Sequence, residues 1–157
     1  MKVPRQVLLS AILCSAGCAI AIYIMENSSA LAAYPMAAIP FATSIVLVIS
    51  QPGVAPKQPR ALIGGHLLSA LVGLLVLAAT GPGPVAAAFA VGLAVLAMVL
   101  NDTLHPPAGI NPLLVVAGNL PWSFLGVPVL VGWLMLAAFA LIWHRLVLRQ
   151  PWPERWL

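Results

Sequence analysis

The chain has 157 residues, of which 62% are hydrophobic and 6% are charged, with a mean hydropathy of +1.07. A soluble domain carries about 25% charged residues, and seven Lys or Arg with three Asp or Glu cannot cover a solvated surface of this size. The composition excludes a water-soluble globular domain and points to an all-α polytopic membrane protein, because each crossing needs about 20 apolar residues.

The first apolar run, residues 6–25, follows Lys2 and Arg5 and ends at Glu26. Its basic start resembles a secretory leader, and Cys18 would suit a lipoprotein signal, but Ser15-Ala16-Gly17 lacks the usual Leu and the run continues to Met25. It is expected to be a retained first span, with Cys14 and Cys18 as small buried hydrophobes. Ala30–Ser50 comes next and is broken near its start by Pro35 and Pro40. A proline-rich loop, residues 51–60, carries Lys57 and Arg60, and a long apolar run follows at Ala61–Thr80. Gly81-Pro82-Gly83-Pro84 reads as a turn. Val85–Leu100 is the next run and ends at Asn101-Asp102. His105-Pro106-Pro107-Ala108-Gly109-Ile110-Asn111-Pro112 then opens a short apolar piece that ends at Ala117. After a turn at Gly118–Trp122, Phe124–Trp143 forms the last span, and the basic tail His144–Leu157 closes the sequence.

This pattern predicts four full transmembrane helices and two short, proline-broken half-spans. If both half-spans cross, all seven basic residues fall on one side, and the positive-inside rule makes both termini cytoplasmic. The net charge of +4 is thereby explained by membrane orientation rather than by nucleic acid. Two internal matches suggest repeats. Pro35–Ile39 aligns with Pro106–Ile110 at an offset of 71, three of five identical, and Leu71–Ala79 aligns with Leu130–Ala138 at an offset of 59, seven of nine identical. Each unit, about 6–80 and about 85–147, would run full span, short span, full span. Three crossings per unit make the second inverted relative to the first, an architecture of transporters and channels.

A residue before proline is extended, and proline suits the first helical turn, so Pro35, Pro40, Pro106, Pro107 and Pro112 predict extended chain feeding two half-helices. Their N-termini would offer N–H groups to a small anion or a polar solute near the midplane. The alternative is a pair of kinked structural helices. His66, Ser69, Gly73 and Thr80 form a small, polar stripe that would suit a pore or a close packing face equally. His105 beside Asn101 and Asp102 is a second polar candidate, while His144 and Trp122, Trp143, Trp152 and Trp156 read as interfacial anchors. Arg60 and Asp102 are expected to pair at the inner mouth. The Cys and His spacings match no metal motif, no Walker-type loop occurs, and neither a cofactor nor an enzymatic activity is expected.

Leu104-His105-Pro106-Pro107-Ala108-Gly109 resembles the signature of the HPP family of integral membrane proteins. Two further pieces are similar to that family: Gln58-Pro59-Arg60 followed by Gly64–Ala70, and the Pro-x-x-x-Gly helix around Pro128–Gly132. The resemblance covers roughly residues 35–147. It implies a small bundle, usually described as four-spanning, and transport; plant chloroplast and cyanobacterial relatives are associated with nitrite movement. The sequence departs from the family pattern at Ala108, where Gly is common, and at Phe41-Ala42-Thr43-Ser44, which resembles Phe-Gly-Ala-Ser.

The combined expectation is a channel or transporter for a small anion such as nitrite in a bacterial plasma membrane, as a homo-oligomer. Its path would pass His105, Pro106, Pro107, Gly109 and Asn111 from one repeat, Pro35, Thr43 and Ser44 from the other, and His66 from the flanking helix. Lys57 and Arg60 would concentrate anions at the cytoplasmic mouth, beside Asp102. A structural or regulatory subunit bound to a partner chain, and a proton-coupled transporter of a neutral solute, are the rival classes.

Overall fold

A computed structural model describes residues 4–28, 34, 38–50, 58–154 and 156. Among these residues the chain is helical with no strand. Helix α1 runs Arg5–Glu26, α2 Ile39–Ser50, α3 Pro59–Thr80, and α4 Pro84–Leu100. A 3-10 turn, Pro106–Gly109, leads directly into α5, Ile110–Ala117. The last helix, α6, runs Leu125–Leu148.

The helix ends follow from local chemistry. Gln58 is extended, with ψ 153°, because Pro59 follows it at the first helical position. Gly81 ends α3 with φ 76°, a left-handed conformation that glycine adopts without strain. Pro84 opens α4 in the same way as Pro59 opens α3. At the far ends of α1 and α4, the side-chain amides of Asn27 and Asn101 donate to the carbonyls of Tyr23 and Ala97 at 2.8 and 2.9 Å.

Three helices, α1, α3 and α6, are long and apolar enough to cross a membrane. The expected fourth, α4, has 17 residues and rises about 26 Å, short of a core of about 30 Å. Val85–Leu100 carries the right composition, but the turn at Gly81–Gly83 and the left-handed Asp102 (φ 54°) bound it too closely. Helices α2 and α5 are shorter still, as their prolines require. The last span also differs from the expected Phe124–Trp143. It continues to Leu148 and is π-helical at Leu125–Val131 and Trp143–Leu148. The wider first π turn accommodates Pro128, which lacks an N–H and would clash in a tight α-helix.

Packing follows a repeated pattern. Helix α1 packs on α2, and α4 packs on α5. Helix α3 lies against α4 and α5, and α6 lies against α1 and α2. A Cβ added at Gly73 of α3 would sit 2.7 Å from Pro112 Cα on α5. One added at Gly132 of α6 would sit 2.5 Å from Phe41 Cε2 on α2. The two glycines are 59 residues apart and their partners 71 apart, the same offsets that align the sequence halves. At Gly73 the stripe of α3 is a close packing contact with α5.

One core cluster joins α1, α2 and α6 through Met25, Phe41, Ile45, Ile49 and Leu136. Trp152 belongs to it at 2% exposure, so it is not part of an interfacial belt. The backbone N–H of Glu154 donates to Gln58 Oε1 at 3.0 Å and holds the tail against the bundle. His144 is likewise buried, with Nδ1 donating to the Ala140 carbonyl at 3.0 Å, whereas Trp122 and Trp156 are exposed. Val7, Leu8, Ile12, Leu96, Val99 and Leu134 point outward, which lipid tolerates and water would not.

Candidate functional site

Five polar side chains from four segments meet inside the bundle: Ser44 on α2, His66 and Ser69 on α3, His105 just before the 3-10 turn, and Asn111 on α5. Each is 0% exposed. Such groups are expensive in an apolar interior unless each finds a partner. Ser44 Oγ lies 2.9 Å from His66 Nε2 and 2.8 Å from His105 Nε2, so one hydroxyl bridges two imidazoles. The same hydroxyl is 2.8 Å from the Pro40 carbonyl. Asn111 Nδ2 is 3.0 Å from His66 Nδ1, 2.9 Å from Ser69 Oγ and 3.2 Å from the His66 carbonyl. Ser69 in turn donates to the His66 carbonyl at 3.2 Å.

Aromatic packing fixes the rings. Phe41 stacks on His66 with centroids 4.8 Å apart, and the two imidazole centroids are 5.1 Å apart. Glycine makes the approach possible: a Cβ at Gly65 would lie 2.6 Å from His105 Cβ and 3.0 Å from the Thr103 carbonyl. Gly65 therefore lets the extended segment at His105 lie directly on α3. Among the cluster's side-chain polar atoms, Asn111 Oδ1 is buried with no hydrogen-bond partner.

Of the residues the sequence singles out, His105, Asn111, Ser44 and His66 converge here. Pro106 is exposed, and Pro107 and Gly109 are half-buried beside the cluster. Thr43 is exposed on the other face of α2, its hydroxyl bonded back to the Pro40 carbonyl at 3.1 Å. Pro35 and Lys57 lie outside the described residues. Arg60 Nη2 and Asp102 Oδ2 are 4.0 Å apart at the surface, and Arg60 also donates to the Asn101 carbonyl at 3.4 Å. Ser69, named with His66 in the polar stripe of α3 but not on the expected path, completes the cluster.

The helix N-termini contribute fewer donors than their prolines suggest. Pro40, Pro106, Pro107 and Pro112 have no N–H at all. The amides of Phe41 and Ala42 bond the Ala38 carbonyl at 3.0 and 2.8 Å, and Ala108 bonds the His105 carbonyl at 2.9 Å. The cluster contains no Lys or Arg, and no group of three His, Cys, Asp or Glu able to hold a metal occurs among the described residues.

Exchanging the halves at the offsets above maps Ser44, His66 and His105 onto Val115, Leu125 and Tyr34. Those three do pack together in a second core cluster with Phe124 and Val129, where Tyr34 Oη lies 2.6 Å from Ser123 Oγ. One half of the bundle thus holds a polar cluster where the other holds an apolar one.

The family model described as "HPP, transmembrane region" matches residues 3–153. Two curated transmembrane proteins of Dictyostelium discoideum are 36% and 34% identical over 124 residues, covering 74% of this chain and 44% and 40% of theirs. The chain therefore spans less than half the length of these relatives. No solved structure matches it. The chain belongs to the HPP family of integral membrane proteins.

Proposed function

We propose that this chain is a channel or transporter for a small anion such as nitrite, working as a homo-oligomer in a bacterial plasma membrane with both termini cytoplasmic. The observation that carries the reading is the closed polar cluster of Ser44, His66, Ser69, His105 and Asn111 at the junction of the two short helices. Intramembrane polar groups are costly, and a purely structural bundle has no need of five together. Two imidazole N–H groups aimed at one hydroxyl are donors that can turn to a passing anion. The family resemblance names nitrite as the first ion to test.

The proposal includes an inverted-repeat architecture, which places a binding site between units that rock against each other. Its support is the matched packing: α1–α2 with α4–α5, α3–α5 with α6–α2, and Gly73–Pro112 with Gly132–Phe41. Arg60 and Asp102 would sit at the cytoplasmic mouth. Purified protein in liposomes, assayed for nitrite, nitrate, formate and chloride flux, tests the function. Protein-dependent flux of at least one ion that falls in His105→Ala is expected. No flux of any of the four would leave a structural or regulatory subunit as the better reading.

A further inference from the structure

Resting on the anion reading, we propose that the anion enters this cluster together with one proton, so that the pair is bound at Asn111 Oδ1 as a neutral acid. The argument starts from the protons of the cluster. The Pro40 carbonyl can only accept, so the Ser44 hydroxyl proton belongs there, and both Nε2 atoms must then donate to Ser44 Oγ. With its proton on Nε2, His66 presents a bare Nδ1, and Asn111 Nδ2 donates into it at 3.0 Å. The second amide proton goes to Ser69 Oγ, and the Ser69 proton goes to the His66 carbonyl. The amide orientation follows from the same contacts, because Oδ1 in place of Nδ2 would face the His66 carbonyl at 3.2 Å. Each of these donors is then matched to an acceptor. What remains is Asn111 Oδ1, a buried acceptor with no partner.

An open acceptor is the wrong sign for a bare anion and the right sign for an acid hydroxyl. The charge balance of the surroundings leads to the same place. Helices α2, α4 and α5 carry no Asp, Glu, Lys or Arg, nor does α6 before Arg145. On α3 the only charged residue is Arg60, two turns from His66 and exposed, and Asp102 is exposed beside it. Helix α1 carries charge only at Arg5 and Glu26, its two ends. His66 and His105 are thus the titratable groups facing the cluster. A lone anion in an apolar interior with no Lys or Arg beside it lacks a fixed counter-charge and is strongly disfavoured. One proton cancels it, held on the acid oxygen that donates to Asn111 Oδ1, or on an imidazole alongside. One anion and one proton enter from one side and leave on the other, and no net charge moves.

The test uses the whole protein in liposomes, with nitrite and formate as probes and protein-free vesicles subtracted from initial rates. With the membrane potential clamped at zero, a pH gradient should accumulate the anion on the alkaline side, approaching tenfold per pH unit. With pH equal on both sides, an imposed potential should drive no accumulation. Accumulation of tenfold per about 59 mV, with no response to the pH gradient, overturns proton co-entry and leaves the anion reading standing. Absence of any protein-dependent flux overturns both.

Discussion

Replacing Gly65 with alanine puts a methyl group where none fits. The new Cβ would lie 2.6 Å from His105 Cβ, and carbon atoms rest at about 3.5 Å or more, so the extended segment at His105 must retreat by about 0.9 Å. Carried to the ring, that retreat stretches the 2.8 Å contact between His105 Nε2 and Ser44 Oγ to about 3.7 Å, beyond hydrogen-bonding range. Overpacking costs about 1–3 kcal/mol and the lost bond about 1 kcal/mol. Alanine regains about 1 kcal/mol of helix propensity, which leaves a net destabilisation of about 1–3 kcal/mol. Gly92 on α4 is the control, because a Cβ there meets nothing within 4 Å. Gly92→Ala should stabilise the protein by up to about 1 kcal/mol. Unfolding in mixed micelles of increasing SDS fraction measures both, and nitrite flux reads the site. If Gly65→Ala matches Gly92→Ala in stability and keeps full flux, the close approach of α3 to His105 is not what holds the cluster.

Gly132→Ala should destabilise the bundle by about 1–3 kcal/mol, and Phe41→Leu in the same chain should recover part of the loss, as a double-mutant cycle by SDS titration would show. Ser44→Ala leaves two buried N–H donors without their shared acceptor and should cost about 1–3 kcal/mol for each; Thr43→Ala, on the exposed face, should stay within about 0.5 kcal/mol of the parent in the same titration. The Arg60–Asp102 pair is 4.0 Å apart and exposed, so a cycle of Arg60→Gln and Asp102→Asn should return a coupling under about 1 kcal/mol. Asp102→Val should be worse than Asp102→Asn in thermal unfolding, because φ at this position is 54° and a β-branched residue is strained there.

How much of this was legible beforehand differs by feature. Proline placement made α2 and α5 short, because Pro40, Pro106, Pro107 and Pro112 leave little room for ordinary helix, and polarity in an apolar chain singled out His66, His105, Ser44 and Asn111. The burial of Trp152 was not legible. A tryptophan in a short tail has the same composition whether it rests at an interface or folds back on α6, and only tertiary packing separates the two. The π turns around Pro128 were hidden for a related reason: an apolar run of constant character does not record its helical pitch. Proline is an ambiguous sign of a donor-rich helix start, because it both begins a helix and removes the N–H that an anion would use. Thr43 and Ser44 are neighbours in sequence, but helical geometry turns them about 100° apart, and only Ser44 faces inward.

The apolar trio of Tyr34, Val115 and Leu125 has a bearing on how traffic would run. A conduit with equivalent stations in both halves could hold two passengers, each pushing the other onward, as multi-site filters do. If the chain conducts as proposed, this second station offers no imidazole and no buried amide, so one occupant would fill the protein. Throughput would then rise with concentration along a simple hyperbola and level off, in the manner of a turnstile rather than a queue.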